Sequence, residues 1–246
     1  MLEMNKKRLP SVAMLYDGVL LENVFDGYRT LRVAGRESLS LSFHTEKTEY
    51  GSIITKQEVD SRTLTINFHL KAEDNKSFQD TFKKMISILK KKEDVEIKFA
   101  DDPDTSFFGR FESLSEVPDD TNEVLAAFTI FCQDPYKYGP VVESSGKVKI
   151  PTLNQTLPQK IELTKVDGIA EITHNDLQIA FTDTVANGDI IDVNFDRKSI
   201  NATKNGQPFT YALAINSDLE NFFLSSGDTV QSAGNTIRLF MRERWL

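Results

Sequence analysis

Apolar and polar residues alternate along much of the first half of the chain. Leucine or phenylalanine recurs at positions 39, 41 and 43, and a longer alternation runs from Leu64 to Leu70. In that second stretch Thr65, Asn67 and His69 occupy the intervening positions. A period of two is typical of strands that bury one face and expose the other. Both segments are therefore predicted to be half-buried β-strands.

The apolar pattern almost disappears over residues 44–60, where charged residues and threonines dominate. A short group near the centre of this segment combines Tyr50 and Gly51 with Ile53 and Ile54. So few apolar side chains cannot hold the segment on a hydrophobic core, because burial of apolar area is the main attractive term in folding. The segment is predicted to project as a loop or a hairpin.

One segment has helical periodicity. The predicted helix covers about residues 75–91, with Asp74 or Asn75 as its N-cap. Its apolar stripe consists of Phe78, Phe82, Met85, Ile86 and Leu89. This stripe is expected to pack on strands at 64–70 and 95–99. The sequence leaves open whether those two strands pair with each other as a crossover unit.

The strand pattern of residues 123–132 is apolar on both faces and stops at residues 133–140, which combine prolines, tyrosines and a glycine. Proline and glycine interrupt regular structure, so this stretch predicts a domain boundary. A chain of 246 residues is long enough for two domains. We expect a first domain at 1–140 and a second at 141–246.

The second half contains short strand patterns separated by turns and no helical stripe, which favours a sandwich or a barrel. Asn205-Gly206 between two strand patterns predicts a tight hairpin, because both central residues of a type I′ turn need a positive φ. In the first half, Asp101–Asp104 is predicted to form a turn before a strand at 107–111.

The formal net charge is −8. Binding to nucleic acid needs a basic surface, so this charge argues against a nucleic-acid-binding protein. Lysines at positions 83, 84 and 90–92 are the local exception. They are predicted to lie on the solvent side of the helix and at its C-terminal end, where the helix dipole favours positive charge.

Candidate chemistry is sparse. His44, His69 and His174 lie in separate segments, and Cys132, the single cysteine, lies in an apolar strand. The sequence has no phosphate-binding loop and no nucleophile elbow. The acidic group at 101–104 lacks the spacing of a calcium loop. We therefore expect a protein that is not an enzyme and that holds no metal and no cofactor.

The first ten residues include basic side chains without a following apolar run, unlike a secretory signal. No segment approaches the roughly 18 apolar residues of a membrane span. Synthesis and folding in a cytoplasm, without membrane insertion, are expected.

Taken together, these features resemble the distal tail protein (Dit) family of long-tailed phages and prophages of Gram-positive bacteria. The stretch at 134–139 after an apolar strand is the best local match, and the alternating strand at 62–70 with the single helix agrees with it. Other matching stretches lie at 16–19, 25–27, 205–206, 224–227, 234–237 and 242–245. The chain departs from the family pattern in the extra residues 228–233 between two glycines.

The resemblance implies a mainly β fold with two parts. The first would be an α+β ring-forming domain with one helix on a β-sheet, and the second a galectin-like antiparallel β-sandwich. The family builds a homo-hexameric ring at the tail tip of the virion. That ring joins the tail tube protein to the tail-associated lysin or fibre protein and carries receptor-binding or baseplate proteins. DNA passes through its channel without specific binding.

The resemblance also gives roles to two groups of residues. Tyr50, Gly51, Ile53 and Ile54 become the candidate subunit interface, because a segment without its own core has a neighbouring subunit available to cover it. The candidate interdomain seam is formed by Pro135, Tyr136, Tyr138 and Pro140.

A carbohydrate-binding module is the alternative function, in which exposed aromatic side chains of the second half contact a cell-wall sugar. Few exposed aromatic side chains are predicted there. Most of the candidates are expected to face inward: Phe181, Phe195, Phe209, Tyr211, Phe222 and Phe223.

Overall fold

β-Strands form nearly all of the regular structure, and one long helix accompanies them, as predicted. The structure, a computed structural model, describes residues 9–151, 155–195 and 199–246. The first eight residues of the basic N-terminal segment lie outside the described residues. The chain divides into two compact units, residues 1–137 and 138–245.

The first unit contains nine strands and two helices among its described residues. They are β1 (Met14–Tyr16), β2 (Val19–Leu20), α1 (Leu21–Val24), β3 (Tyr28–Ala34), β4 (Leu41–Thr48), β5 (Gly51–Val59), β6 (Arg62–Lys71), α2 (Asn75–Leu89), β7 (Val95–Phe99), β8 (Asp102–Leu114) and β9 (Glu123–Cys132).

Two antiparallel strand groups share strand β8. Its first part pairs with β7, which continues to β1 and β2, and its last part pairs with β9, which continues to β6 and β3. Strand β6 therefore lies between β3 and β9, while β7 lies between β1 and β8. Within the described strands β6 and β7 do not pair, so the crossover arrangement that the sequence left open is not formed.

Helix α2 begins where the sequence predicts. Asp74 is the N-cap, and its carboxylate accepts a hydrogen bond of 2.7 Å from the backbone N–H of Ser77. The apolar stripe places Phe78, Met85 and Leu89 in the core of this unit. No helix in the part of the chain that the structure describes is long and apolar enough to cross a membrane.

The predicted turn at 101–104 is shorter than expected. Only Ala100 and Asp101 separate β7 from β8, and Asp102 already pairs with Phe99. Pro103 is tolerated in β8 because it lies near the start of the strand, where the register of the pairing with β7 shifts. A missing backbone N–H costs little stability at this position. The acidic group is therefore mostly strand.

The second unit is antiparallel. Its strands are β10 (Lys137–Ser144), which starts at the last residue of the first unit, β11 (Lys160–Thr164), β12 (Glu171–His174), β13 (Leu177–Ala180), β14 (Ile190–Phe195), β15 (Ile200–Lys204), β16 (Gln207–Pro208) and β17 (Thr236–Trp245). One sheet has the order β16-β15-β14-β11-β17-β10.

A second layer covers that sheet. It contains the β12–β13 hairpin and single bridges such as Thr156 with Leu224 and Thr173 with Gln231. Buried apolar residues between the layers form the core. The β15–β16 hairpin turns at Asn205 and Gly206, whose φ angles of 51° and 78° confirm the type I′ prediction.

Candidate assembly surface

Strands β4 and β5 form an isolated hairpin, which confirms the predicted projecting segment. Their register runs from the pair Leu41–Val59 to the pair Thr48–Gly51, and the turn consists of Glu49 and Tyr50. Within the described residues these two strands pair only with each other. Almost every residue of the hairpin is exposed, and Tyr50 at its tip is 94% exposed.

The cross-strand register separates the hairpin into two faces of different character. Leu41 pairs with Val59, and a bulge after His44 brings Ile54 opposite Thr45. Because paired residues share a face and alternate residues share a face, Leu41, Phe43, Ile54 and Val59 lie together. We call this group the apolar face of the hairpin. Ile53 pairs with Glu46 and points to the other side.

Charged side chains dominate that other side. His44 Nε2 lies 3.0 Å from Glu58 Oε2, and Lys56 also binds Glu58. The hydrogen bond from Lys56, followed by that from His44, lowers the pKa of Glu58. The hairpin is therefore amphipathic: one face carries charged side chains that contact each other, while the other exposes apolar area to water.

Phe43 and Leu41 are functional candidates that the sequence reasoning missed. Their alternation predicted a half-buried strand, but Phe43 is 49% exposed because no sheet of the unit lies behind it. The signal that could have identified them is their proximity to the polar segment at 44–60. An alternating strand that continues directly into a segment with so few apolar residues has no core of its own to cover.

The root of the hairpin is fixed by hydrogen bonds. Asp60 Oδ2 accepts from the hydroxyl of Ser40 at 2.7 Å, and Asp60 Oδ1 accepts from Ser42 at 2.5 Å. The Asp60 backbone N–H also donates to the carbonyl of Ser40 at 3.0 Å. The hydrogen bond from Ser42 contributes most to a lowered pKa of Asp60. The root is thus better held than the exposed tip.

Buried Arg62 links the end of the root to the segment that sequence reasoning singled out. Its Nε donates to the carbonyl of Pro135 at 2.8 Å, and its Nη1 donates to the carbonyls of Gly35, at 3.1 Å, and Arg36. The guanidinium also lies 5.9 Å from the ring centre of Phe107. Burial lowers the pKa of Arg62. One side chain therefore holds three carbonyls from two distant chain segments.

The four candidate seam residues differ in exposure. Pro135, Tyr136 and Tyr138 are half-buried, and Pro140 is exposed. Within this stretch the backbone N–H of Tyr136 donates to Asp134 Oδ1 at 3.0 Å, an Asx-type turn. Their role as a seam stays a prediction.

The histidines do not converge on one site. His44 is on the hairpin, His69 binds Glu123 at 2.8 Å on the sheet surface, and His174 is buried with Nδ1 3.2 Å from the carbonyl of Thr229. The described ranges contain no group of three or more side chains placed to hold a metal ion.

The cysteine and the acidic group that the sequence analysis considered for chemistry both have structural surroundings. Cys132 is buried in strand β9. Asp101 accepts two hydrogen bonds of 2.8 Å from the guanidinium of Arg36, and these lower its pKa. Because the arginine binds both of its oxygens, the carboxylate of Asp101 has a structural role.

Tyr211 departs from the predicted inward placement of the aromatic residues. Phe195, Phe209 and Phe222 are buried as expected, but Tyr211 is 74% exposed. Its ring meets Phe209 edge-on at 5.6 Å, and its hydroxyl donates to Asp183 at 3.4 Å. Tyr211 lies in a single 3₁₀ turn, whose irregular backbone does not follow the period-two alternation that was used for the prediction.

Comparisons with known proteins point to phage tails. A family model described as the phage tail protein RIFT-related domain matches residues 26–130. The distal tail protein of Bacillus phage SPP1 is 26% identical over 223 residues, which cover 83% of this chain and 85% of that protein.

Solved structures show the same fold. The crystal structure of SPP1 Dit, described as a paradigm of the hub adsorption apparatus in phages that infect Gram-positive bacteria, has a TM-score of 0.74. The two chains are 23% identical, and the match covers 96% of this chain and 100% of that one. A structure of the phage P2 baseplate in its activated conformation has a TM-score of 0.58 at 8% identity, covering 87% of this chain and 90% of that one.

These matches confirm the resemblance read from the sequence and the mainly β fold that it implied. They extend along the chain from the N-terminal sheets to the second unit. The family model, the related sequence and the shared fold agree, and over most of its length the chain is similar to the distal tail (Dit) proteins of phages.

Proposed function

We propose that this chain forms a hexameric hub at the tip of a phage tail and that the β4–β5 hairpin makes contacts between neighbouring subunits. In this proposal the ring joins the tail tube protein to the tail-associated lysin or fibre protein. The second unit carries receptor-binding or baseplate proteins.

The general role follows from the relatives. They are a distal tail protein, a hub protein and a baseplate, so the chain is a structural component of a phage tail and belongs to the virion. These relatives also confirm the prediction that it is not an enzyme. The hexamer, the named partners and the contact residues are the proposed part.

The observation that carries the proposed contact is the exposed apolar face of the hairpin. Leu41, Phe43 and Ile54 lie on a two-stranded sheet that no other described strand covers. An isolated hairpin is at best marginally stable in water, and an exposed apolar face with free edges favours pairing with another chain. A head-to-tail contact of this kind closes into a ring when its rotation divides a full turn.

Deletion of residues 51–57 tests this proposal. The deletion removes most of β5, and the core of the first unit contains no residue of the hairpin, so we expect a folded monomer. The measurement is size-exclusion chromatography with light scattering, with electron microscopy of the same fractions. Wild-type chain should form rings that the deletion variant does not form. Full rings formed by the deletion variant would contradict the proposal.

Exposed Tyr211 is the observation that keeps carbohydrate binding as a second candidate. A tyrosine that is 74% exposed and packed on Phe209 offers a flat apolar surface with a polar hydroxyl. Calorimetry of the full chain with cell-wall oligosaccharides distinguishes the two candidates. A hub without sugar binding gives no saturable heat. Saturable heat that disappears with Tyr211→Ala, but not with Tyr50→Ala, would favour the second candidate.

A further inference from the structure

The solvent-facing side of helix α2 carries unpaired positive charge in an acidic chain. Lys76, Lys83 and Lys84 are exposed and lie at positions i, i+7 and i+8, which places them on one side of the helix. Asp80 is the one carboxylate of the helix and lies on the same side. Within the part of the chain that the structure describes, the three lysines form no ion pair, so their charge is available to a partner.

An open groove of about 430 Å³ includes Lys84 in its lining and is formed by residues of α1, its C-cap and α2. Its lining mixes apolar and polar side chains, namely Val24, Phe25, Thr81, Lys84, Ser87 and Ile88. Val24 is 47% exposed although its neighbours in the groove include buried Phe25. We call this groove, together with Lys76 and Lys83, the lysine groove.

We propose that the lysine groove docks an acidic polypeptide segment of another protein, with one apolar side chain of that segment in the groove. Carboxylates of the segment would face Lys76, Lys83 and Lys84. An apolar anchor surrounded by a polar rim is the usual composition of a protein-protein contact. The groove is within the range of volumes that hold a single large side chain or a small ligand.

The combination of charge and groove decides between two kinds of acidic partner. Nucleic acid is bound mainly through neutralisation of its phosphates, for which lysines are sufficient. An apolar groove would contribute nothing to that contact. A protein segment supplies carboxylates and an apolar side chain together. Lys84 lines the groove and also lies on the same side of α2 as Lys76 and Lys83. It therefore connects the apolar part of the proposed contact with its charged part.

The proposal does not depend on the ring. The lysine groove uses residues of α1 and α2, whereas the proposed subunit contact uses the β4–β5 hairpin. Peptide binding and assembly state are separate measurements, so the failure of one proposal is distinguishable from the failure of the other.

Fluorescence polarisation with labelled synthetic peptides tests the inference on the full chain. The probe is a peptide with one phenylalanine flanked on both sides by glutamates. Two further peptides replace the phenylalanine by alanine or the glutamates by lysines, and an oligothymidine represents nucleic acid. We expect the first peptide to bind at least about fivefold more tightly than the others and to weaken as salt is raised.

Matched variants locate the binding. Lys84→Glu and Val24→Asn should each weaken the first peptide by about fivefold or more. The controls Lys149→Glu and Val166→Asn change an exposed lysine and an exposed valine of the second unit and should bind like wild type. Ser87→Glu adds a charge to the groove without removing an apolar side chain, and it serves if Val24→Asn lowers stability.

Three outcomes would overturn the inference. The first is equal binding by wild type and by both Lys84→Glu and Ser87→Glu. The second is equal affinity for the phenylalanine and alanine peptides. The third is tighter binding of the oligothymidine than of the acidic peptide, which would reassign the lysines to nucleic acid.

Discussion

Replacement of Ile54 by aspartate is expected to convert assembled rings to folded monomers. Ile54 lies on the apolar face of the hairpin with Leu41 and Phe43, and it is 61% exposed in the single chain. An aspartate in the proposed contact would lose its hydration without gaining a partner. A cost of about 3 kcal/mol at one contact corresponds to a rise of roughly 100-fold in the concentration needed for assembly.

The neighbouring isoleucine provides a matched control. Ile53 is 56% exposed, but it pairs with Glu46 and lies on the charged face. Ile53→Asp should leave the assembly concentration within about fivefold of wild type, because exposed substitutions outside a contact change little. Light scattering over a dilution series measures this for the purified chain, and electron microscopy of phage particles that carry each variant measures it in assembled tails.

The result distinguishes the two faces. Equal loss of rings with both variants would mean that the contact covers the whole hairpin. Normal rings with Ile54→Asp would contradict the assignment of the apolar face. Each variant should unfold within about 0.5 kcal/mol of wild type, because both positions are exposed, so the loss of rings would not reflect unfolding.

Local patterns predicted the regular elements well. Helix α2 follows from its apolar stripe and Asp74, and the turn at Asn205-Gly206 follows from the positive φ that a type I′ turn requires. These features depend on residues close together in the chain. The hairpin was also predictable, because residues 44–60 lack the apolar side chains that a core-bound strand needs.

Features that depend on pairing between distant strands were not predictable. Periodicity cannot show that Phe43 has no sheet behind it, because an exposed apolar face and a buried one alternate in the same way. A bulge at His44 and Thr45 sets which isoleucine joins the apolar face, and a one-residue shift would exchange Ile53 and Ile54. Tyr211 was misplaced for a related reason, since it lies in a 3₁₀ turn outside any strand.

Arg62 shows the same dependence on distant contacts. The sequence places it at the start of an alternating strand, where an exposed arginine is ordinary. The structure buries it among carbonyls of Gly35, Arg36 and Pro135. The stretch at 133–140 stood out by its prolines and tyrosines, yet one contact that holds Pro135 comes from a residue about 70 positions earlier.

Arg62→Met is accordingly expected to destabilise the first unit by about 3 kcal/mol or more, because buried carbonyls would lose charged donors worth roughly 1.5–3 kcal/mol each. Arg62→Lys should give an intermediate loss, since a single ammonium cannot reproduce the planar fork of donors. Arg29→Met, at an exposed position of β3, is the control and should stay within about 0.5 kcal/mol of wild type. Urea denaturation measures all three variants. A wild-type midpoint for Arg62→Met would show that water replaces the guanidinium at no cost, and the segment ending at Pro135 would then need another anchor.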